Sequence, residues 1–278
     1  MPLPNLLSYE FMQNALAAGV LASLLCGVIG PFVVTRKMVF IGGSMSHSAF
    51  GGMGIAFWLG VNPLYGALVF TLLAALALAF SGRKETEESD LYIGILWAVG
   101  MALGIVFIQL TPGYVPNLMT FLFGNILLVP RSDLLLAAAL ATVVLFSVFI
   151  FFRGFVAIAL DEEFAQARGL PVKALHSGLL VLVALTIVTL IQVVGIILVL
   201  ALLTLPVAVA RELTIRFPGL MGLSALTGTV MCTAGLAVSY ITNLPSGAAI
   251  ILVGALLLAS VKTVRFISLR KRGGRAVP

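Results

Sequence analysis

The sequence predicts an all-α, polytopic helical membrane protein with about eight or nine spanning helices, in one domain covering residues 1–278. Of those 278 residues, 61% are apolar and 9% charged, whereas soluble domains run near half apolar and about a quarter charged. The apolar residues fall in runs long enough to cross a bilayer, which takes about 20 residues of helix. The charged residues lie between those runs or at their ends. No soluble fold of this size could hide so much apolar surface. A soluble enzyme, a nucleic-acid-binding domain and a disordered regulator are therefore excluded.

The first apolar run, 11–34, has no basic stretch before it and is too long for a signal h-region, so it is expected to remain as a span. Runs 44–60, 63–80, 91–111, 132–152 and 174–192 follow, and 219–240 and 247–267 close the set. Residues 112–130 contain Pro112, Gly113, Pro116, Gly124 and Pro130. So many breakers suit a re-entrant or interfacial piece, which is stable only where protein covers its backbone. The stretch 194–210 is shorter, holds Pro206, and reads as a short return segment. Polar connections are expected at 81–90 and 153–175, with an amphipathic stretch at 205–219.

Lysine and arginine collect on the cytoplasmic side of membrane proteins. Nine crossings, with the N-terminus outside and the C-terminus inside, put fifteen of the sixteen basic residues in the cytoplasm and leave Arg131 alone outside, beside Asp133. Eight crossings result if 194–210 does not cross. The same placement accounts for the net charge of +6 without a nucleic-acid partner; the surrounding medium is membrane lipid.

Ionisable groups inside a bilayer mark function by default. Here all ten carboxylates lie in loops or at helix ends: Glu10, Glu85, Glu87, Glu88, Asp90, Asp133, Asp161, Glu162, Glu163 and Glu212. That speaks against a carrier coupled to protons or sodium through a buried acid, and against a prenyltransferase needing acidic clusters for magnesium-diphosphate. There is no HExxH and no GxxxxGK[ST], so the chain binds no ATP through a P-loop. Uphill transport would need a second subunit to hydrolyse ATP. Cys26 and Cys232 sit in apolar runs and read as small packed residues rather than a disulfide.

Residues 42–54 read Gly-Gly-Ser-Met-Ser-His-Ser-Ala-Phe-Gly-Gly-Met-Gly. On a helix, Ser44, His47, Gly51 and Gly54 share one face. A neutral imidazole is a common ligand for zinc and similar ions, so His47 reads either as a transient metal contact or as a packing histidine bonded to a neighbouring helix. His176 reads as a solvated helix-end residue. The amides Gln109, Asn125 and Gln192 read first as helix–helix hydrogen bonds and second as path-lining groups. In 205–219, Pro206 should stop the preceding helix, leaving Arg211, Glu212 and Arg216 in water beside Leu213, Ile215 and Phe217. That suits a short helix seated in another protein's groove or lying on lipid headgroups.

Five segments carry a family resemblance: Gly30-Pro31-Phe32-Val33-Val34 leading to Arg36-Lys37; Ser46-His47-Ser48; Asp161-Glu162-Glu163-Phe164-Ala165 with Gly169; Gly195 through Leu205-Pro206 to Arg211; and Pro245-Ser246-Gly247. Together, in order and over nearly the whole chain, they resemble the membrane (permease) subunits of zinc-, manganese- and iron-type metal-ion ABC importers. The resemblance implies a type II importer-like permease fold in a prokaryotic cytoplasmic membrane. It implies a homodimer around a central path, two cytoplasmic ATPase subunits and an extracytoplasmic solute-binding protein that delivers the metal. It places His47 as the metal contact; Ser44 and Gly51 on the same helix face, and the amides Asn125 and Gln192, are the further candidates for the path. It makes 205–219, with Pro206, Arg211, Glu212, Arg216 and Phe217, the ATPase coupling helix, and Asp161, Glu162 and Glu163 a second cytoplasmic contact. No cofactor is bound permanently; the cargo is a divalent ion. Many members carry aspartate four residues before the histidine, where this chain has Gly43. Ligand softness then leans to zinc, since imidazole suits zinc and oxygen ligands suit manganese. Alternatives are a permease for an iron chelate, haem or cobalamin, which usually has another N-terminal span, and a self-contained carrier or channel.

Overall fold

The computed structural model describes residues 9–80, 87–112, 124 and 126–273, all in helices and turns with no strand. Ten α-helices follow in order. They are α1 (Glu10–Thr35), α2 (Val39–Trp58), α3 (Pro63–Phe80), α4 (Glu87–Leu110), α5 (Arg131–Leu160), α6 (Glu162–Ala167), α7 (Val172–Val194), α8 (Ile196–Leu213), α9 (Phe217–Thr242) and α10 (Ser246–Gly273), with a 3₁₀ turn at Ile126–Leu128. Eight of them are long and apolar enough to cross a membrane. The remaining long helix, α2, has 20 residues, but its glycines, serines and histidine dilute its hydropathy. It is nevertheless among the most enclosed helices, packed between α3 and α4.

Side-chain contacts show the helices alternating in direction between two ends. At one end, Arg36, which caps α1, meets Ile158 on α5, Glu162 on α6 and His176 on α7. There too Phe32 packs against Phe217 with ring centroids 4.7 Å apart and planes tilted by 45°, and Arg265 on α10 pairs with Glu212 on α8. At the opposite end, Arg131 on α5 pairs with Glu10 on α1 at 2.8 Å, and the Asn14 amide donates to the Val129 carbonyl. The Arg36 end holds Lys37, Arg168, Lys173, Arg211 and Arg216 as well, so the charge asymmetry read from the sequence is built into the three-dimensional arrangement.

α1 and α7 form the centre: most of their residues are buried. α4, α5 and α10 form the rim, where Val99, Val106, Phe146, Phe149, Leu252 and Leu256 are exposed. In lipid such surfaces need no protein cover, so association must come from close packing. Small residues supply it. α1 meets α9 through Gly19, Ser23 and Gly27, seated on Cys232, Gly228 and Ala225. Cys26 and Cys232 are buried free thiols in this seam, as small packed residues should be.

Two sequence expectations change. The helix expected to end near residue 152 runs on to Leu160, so 153–160 is helix, not loop. Arg153 is polar and Gly154 follows it, yet the helix continues to Asp161, whose backbone is extended. The added turns pay their way in packing, since Phe155 and Ile158 are buried and Phe155 meets Phe32 edge-on. Second, 205–219 is not a separate helix. Pro206 sits inside a continuous α8, a three-residue elbow follows at 214–216, and α9 begins at Phe217.

α7 and α8 run in opposite directions with Gly195 alone between them. Its φ of 82° and ψ of 163° lie in a region essentially closed to residues with a Cβ. Gly195→Ala is therefore expected to cost about 1–3 kcal/mol, read as a lower melting temperature of the purified protein; an unchanged value would mean the reversal is made elsewhere.

Candidate metal path and cytoplasmic contacts

His47 lies midway along α2 and is 8% exposed. It is the one buried imidazole or carboxylate near the middle of a long helix among the described residues. Its Nδ1 is buried and has no hydrogen-bond partner there. Trp97 of α4 stacks on the imidazole, with centroids 4.5 Å apart and planes 25° from parallel. α4 can come this close because glycines line the contact. A Cβ on Gly51 would meet the Gly100 carbonyl oxygen at 2.7 Å, one on Gly54 the Gly104 oxygen at 2.6 Å, and one on Gly100 the His47 oxygen at 2.7 Å. Sequence reasoning missed Trp97. The Gly100-x-x-x-Gly104 spacing, a small-residue packing signal, could have paired α4 with α2 and placed the tryptophan.

The other path candidates are distributed differently from the expectation. Ser44 is fully buried and donates to the Ile41 carbonyl at 2.9 Å, so its proton is committed within its own helix. Gly51 faces the α4 backbone rather than an open path, for the reason just given. Asn125 lies outside the described residues. Gln192 falls in the last turn of α7, its side chain likewise outside the description. Gln109 is exposed near the end of α4. No group of three or more His, Cys, Asp or Glu residues that could hold a metal occurs among the described residues. Among the described residues, one chain thus presents one imidazole at mid-helix depth.

At the Arg36 end, Arg36 donates from one guanidinium nitrogen to the Ile158 carbonyl and from the other to Glu162 Oε2 at 2.7 Å, with His176 Nδ1 at 3.2 Å. His176 is 7% exposed, not solvated as expected, because α5, α6 and α7 converge on this guanidinium. Asp161 caps α6, its carboxylate accepting from the Phe164 amide at 2.9 Å. Asp161 and Glu163 are both exposed; Asp161 is engaged in its cap, and Glu163 stands next to exposed Phe164, over whose ring Arg168 lies at 5.0 Å.

The last turn of α8 and the elbow after it expose Arg211, Leu213, Ile215 and Arg216, Ile215 almost completely at 95%. Pro206 and Phe217 are buried and hold the elbow from inside. Neither can fill a partner's groove, because Phe217 already fills the space beside Phe32. Glu212 is held by Arg265.

The chain is similar in sequence and structure to known transport proteins. It is 46% identical over 250 residues to an uncharacterized membrane protein of Synechocystis, covering 90% of this chain and 89% of that one. It is 38% identical over 255 residues to the manganese transport system membrane protein MntC of Halalkalibacterium halodurans, covering 92% and 87%. Its structure matches a chain of PsaBC from Streptococcus pneumoniae, solved in complex with Fab, with a TM-score of 0.82, 32% identity and 92% of each chain covered. The model of the ABC 3 transport family matches residues 8–264. A multi-pass helical membrane protein, this chain belongs to the ABC 3 transport family, the metal-importer membrane subunits that its sequence resembles.

Proposed function

We propose that this chain is the membrane subunit of an ATP-driven importer of divalent transition-metal ions, forming the translocation path as a homodimer. The observation that carries the reading is His47, a buried imidazole in the middle of α2 with one nitrogen unpartnered. A single imidazole makes no metal site. A second copy related by a two-fold axis would supply its own His47, which is the natural way for one ligand per chain to become two. So sparse a donor set suits a carrier, because conduction requires that the ion also leave.

The remaining assignments follow from the two ends. The Arg36 end is cytoplasmic by its positive charge, which puts the N-terminus outside and the C-terminus inside. At that end the elbow, with Arg211, Ile215 and Arg216, docks a separate ATPase subunit, and Glu163 and Phe164 of α6 offer a second contact. A solute-binding protein delivers the ion at the Glu10 end. Two ions are in view. Manganese is named for the MntC relative. Zinc is favoured by a path whose buried ligand is nitrogen, with no carboxylate beside it among the described residues.

The test is metal accumulation in cells lacking their own zinc and manganese importers, expressing the chain with its ATPase and solute-binding partners. His47→Ala should lower uptake at least about tenfold, the loss of roughly one ligand interaction of 1.4 kcal/mol or more in the transport barrier, at unchanged membrane levels. Full uptake by His47→Ala would remove His47 from the path.

A further inference from the structure

The place one helical turn before His47 is occupied by another helix. A Cβ on Gly43 would meet Cζ3 of Trp97 at 2.5 Å and Cη2 at 3.0 Å, and the same indole stacks on the His47 ring. Positions i and i+4 of a helix lie on one face, and that spacing lets a single helix offer two ligands to one ion. In this chain the indole fills the space a side chain at 43 would need. Withdrawing α4 to free that space would break the close contacts that Gly100 and Gly104 make with α2.

We propose that Gly43 and Trp97 act together as the specificity-determining pair of the path, biasing it towards zinc over manganese; this rests on the reading of His47 as the metal contact. Two effects combine. The indole excludes a second ligand, and water, from the side of His47 facing residue 43, so that side adds no oxygen to the nitrogen a passing ion finds. Manganese, which prefers oxygen ligands, loses more from this than zinc, which takes imidazole readily. The indole face also holds the ring and favours it when it carries positive charge, as it does while donating to a metal. Trp97 is thus a positioning residue acting through His47.

The experiment measures the ratio of zinc to manganese uptake in the assembled importer, in the same cells, with membrane levels monitored. The double variant Gly43→Asp/Trp97→Ala opens the space and places a carboxylate in it. It should shift the ratio towards manganese by about tenfold or more, as expected when an oxygen ligand is added to a nitrogen site. Trp97→Phe keeps an aromatic face and should leave the ratio close to that of the parent. An unchanged ratio in the double variant, or a parent importer that carries manganese and rejects zinc, would overturn the proposal. Should the double variant fail to reach the membrane, Trp97→Ala alone decides. It admits water beside His47 and should move the ratio about threefold towards manganese, because water is an oxygen ligand; no movement would overturn the proposal. Normal uptake by His47→Ala would instead defeat the metal-contact reading itself, so the two failures are distinguishable.

Discussion

Gly52→Ala is expected to destabilise the protein by about 3 kcal/mol, at the upper end for overpacking a tight contact. Gly52 of α2 and Gly66 of α3 face each other backbone to backbone, and a Cβ built on either falls on the other's carbonyl oxygen. Around them, a Cβ on Gly52 would also meet Phe70 Cβ at 2.8 Å and one on Gly66 would meet Ala56 Cβ at 2.8 Å. A clash with backbone cannot be relieved by a rotamer change, so the two helices must separate. Separation forfeits dispersion contacts along the seam. In a bilayer no hydrophobic force between helices compensates, because lipid is as apolar as the side chains. The check is thermal unfolding of the purified protein, with Gly222→Ala as the control, since a Cβ there meets nothing within 4 Å. Parent-like stability of Gly52→Ala would show that α2 and α3 do not pack this closely.

Arg36→Ala should cost about 2–4 kcal/mol, at the scale of losing several charge-assisted hydrogen bonds from a mostly buried guanidinium. The Arg36 side chain is 10% exposed and Glu162 is 27% exposed, so the pair keeps some solvent screening and the figure stays below that of a fully buried one. One guanidinium joins the end of α1 to α5, α6 and α7 through Ile158, Glu162 and His176. Lysine has a compact ammonium in place of the planar fork and cannot reach all three at once, so Arg36→Lys should recover less than half of the loss. Because Arg36 lies three residues before the start of α2, the variants should also lower uptake by more than the fall in membrane level explains. The measurements are melting temperature and metal accumulation per molecule at the membrane. Equal stability of parent and Arg36→Ala would mean that the cluster contributes nothing to joining these helices.

Much of the architecture was legible because hydropathy and charge are local properties. The run 63–80 reappears as α3, 11–34 as α1 and 174–192 as α7, each within a residue or two at either end. The short stretch with Pro206 does form a long helix running back between the two ends, α8. The histidine was legible too, since an imidazole in the middle of an apolar run has few reasons to be there. Arg153 misled, because a charge marks the edge of the apolar run and not the end of the helix; only the burial of Phe155 and Ile158 against α1 shows why α5 continues. Pro206 misled in the same way, since a proline can stay inside a helix whose neighbours cover the freed carbonyl.

By itself the sequence determined the class of protein, the placing of its spans, the end that carries the positive charge, and the one imidazole at depth. The tertiary structure alone decided which faces meet. It put Trp97 over Gly43 and His47, Gly51 against Gly100, Phe217 against Phe32, and His176 under Arg36. The physical reason is that a helix apolar on all sides has no polar stripe to reveal its buried face. In such a chain the partners are chosen by shape, glycine against backbone and ring against ring, and shape is a property of two helices together rather than of either sequence alone.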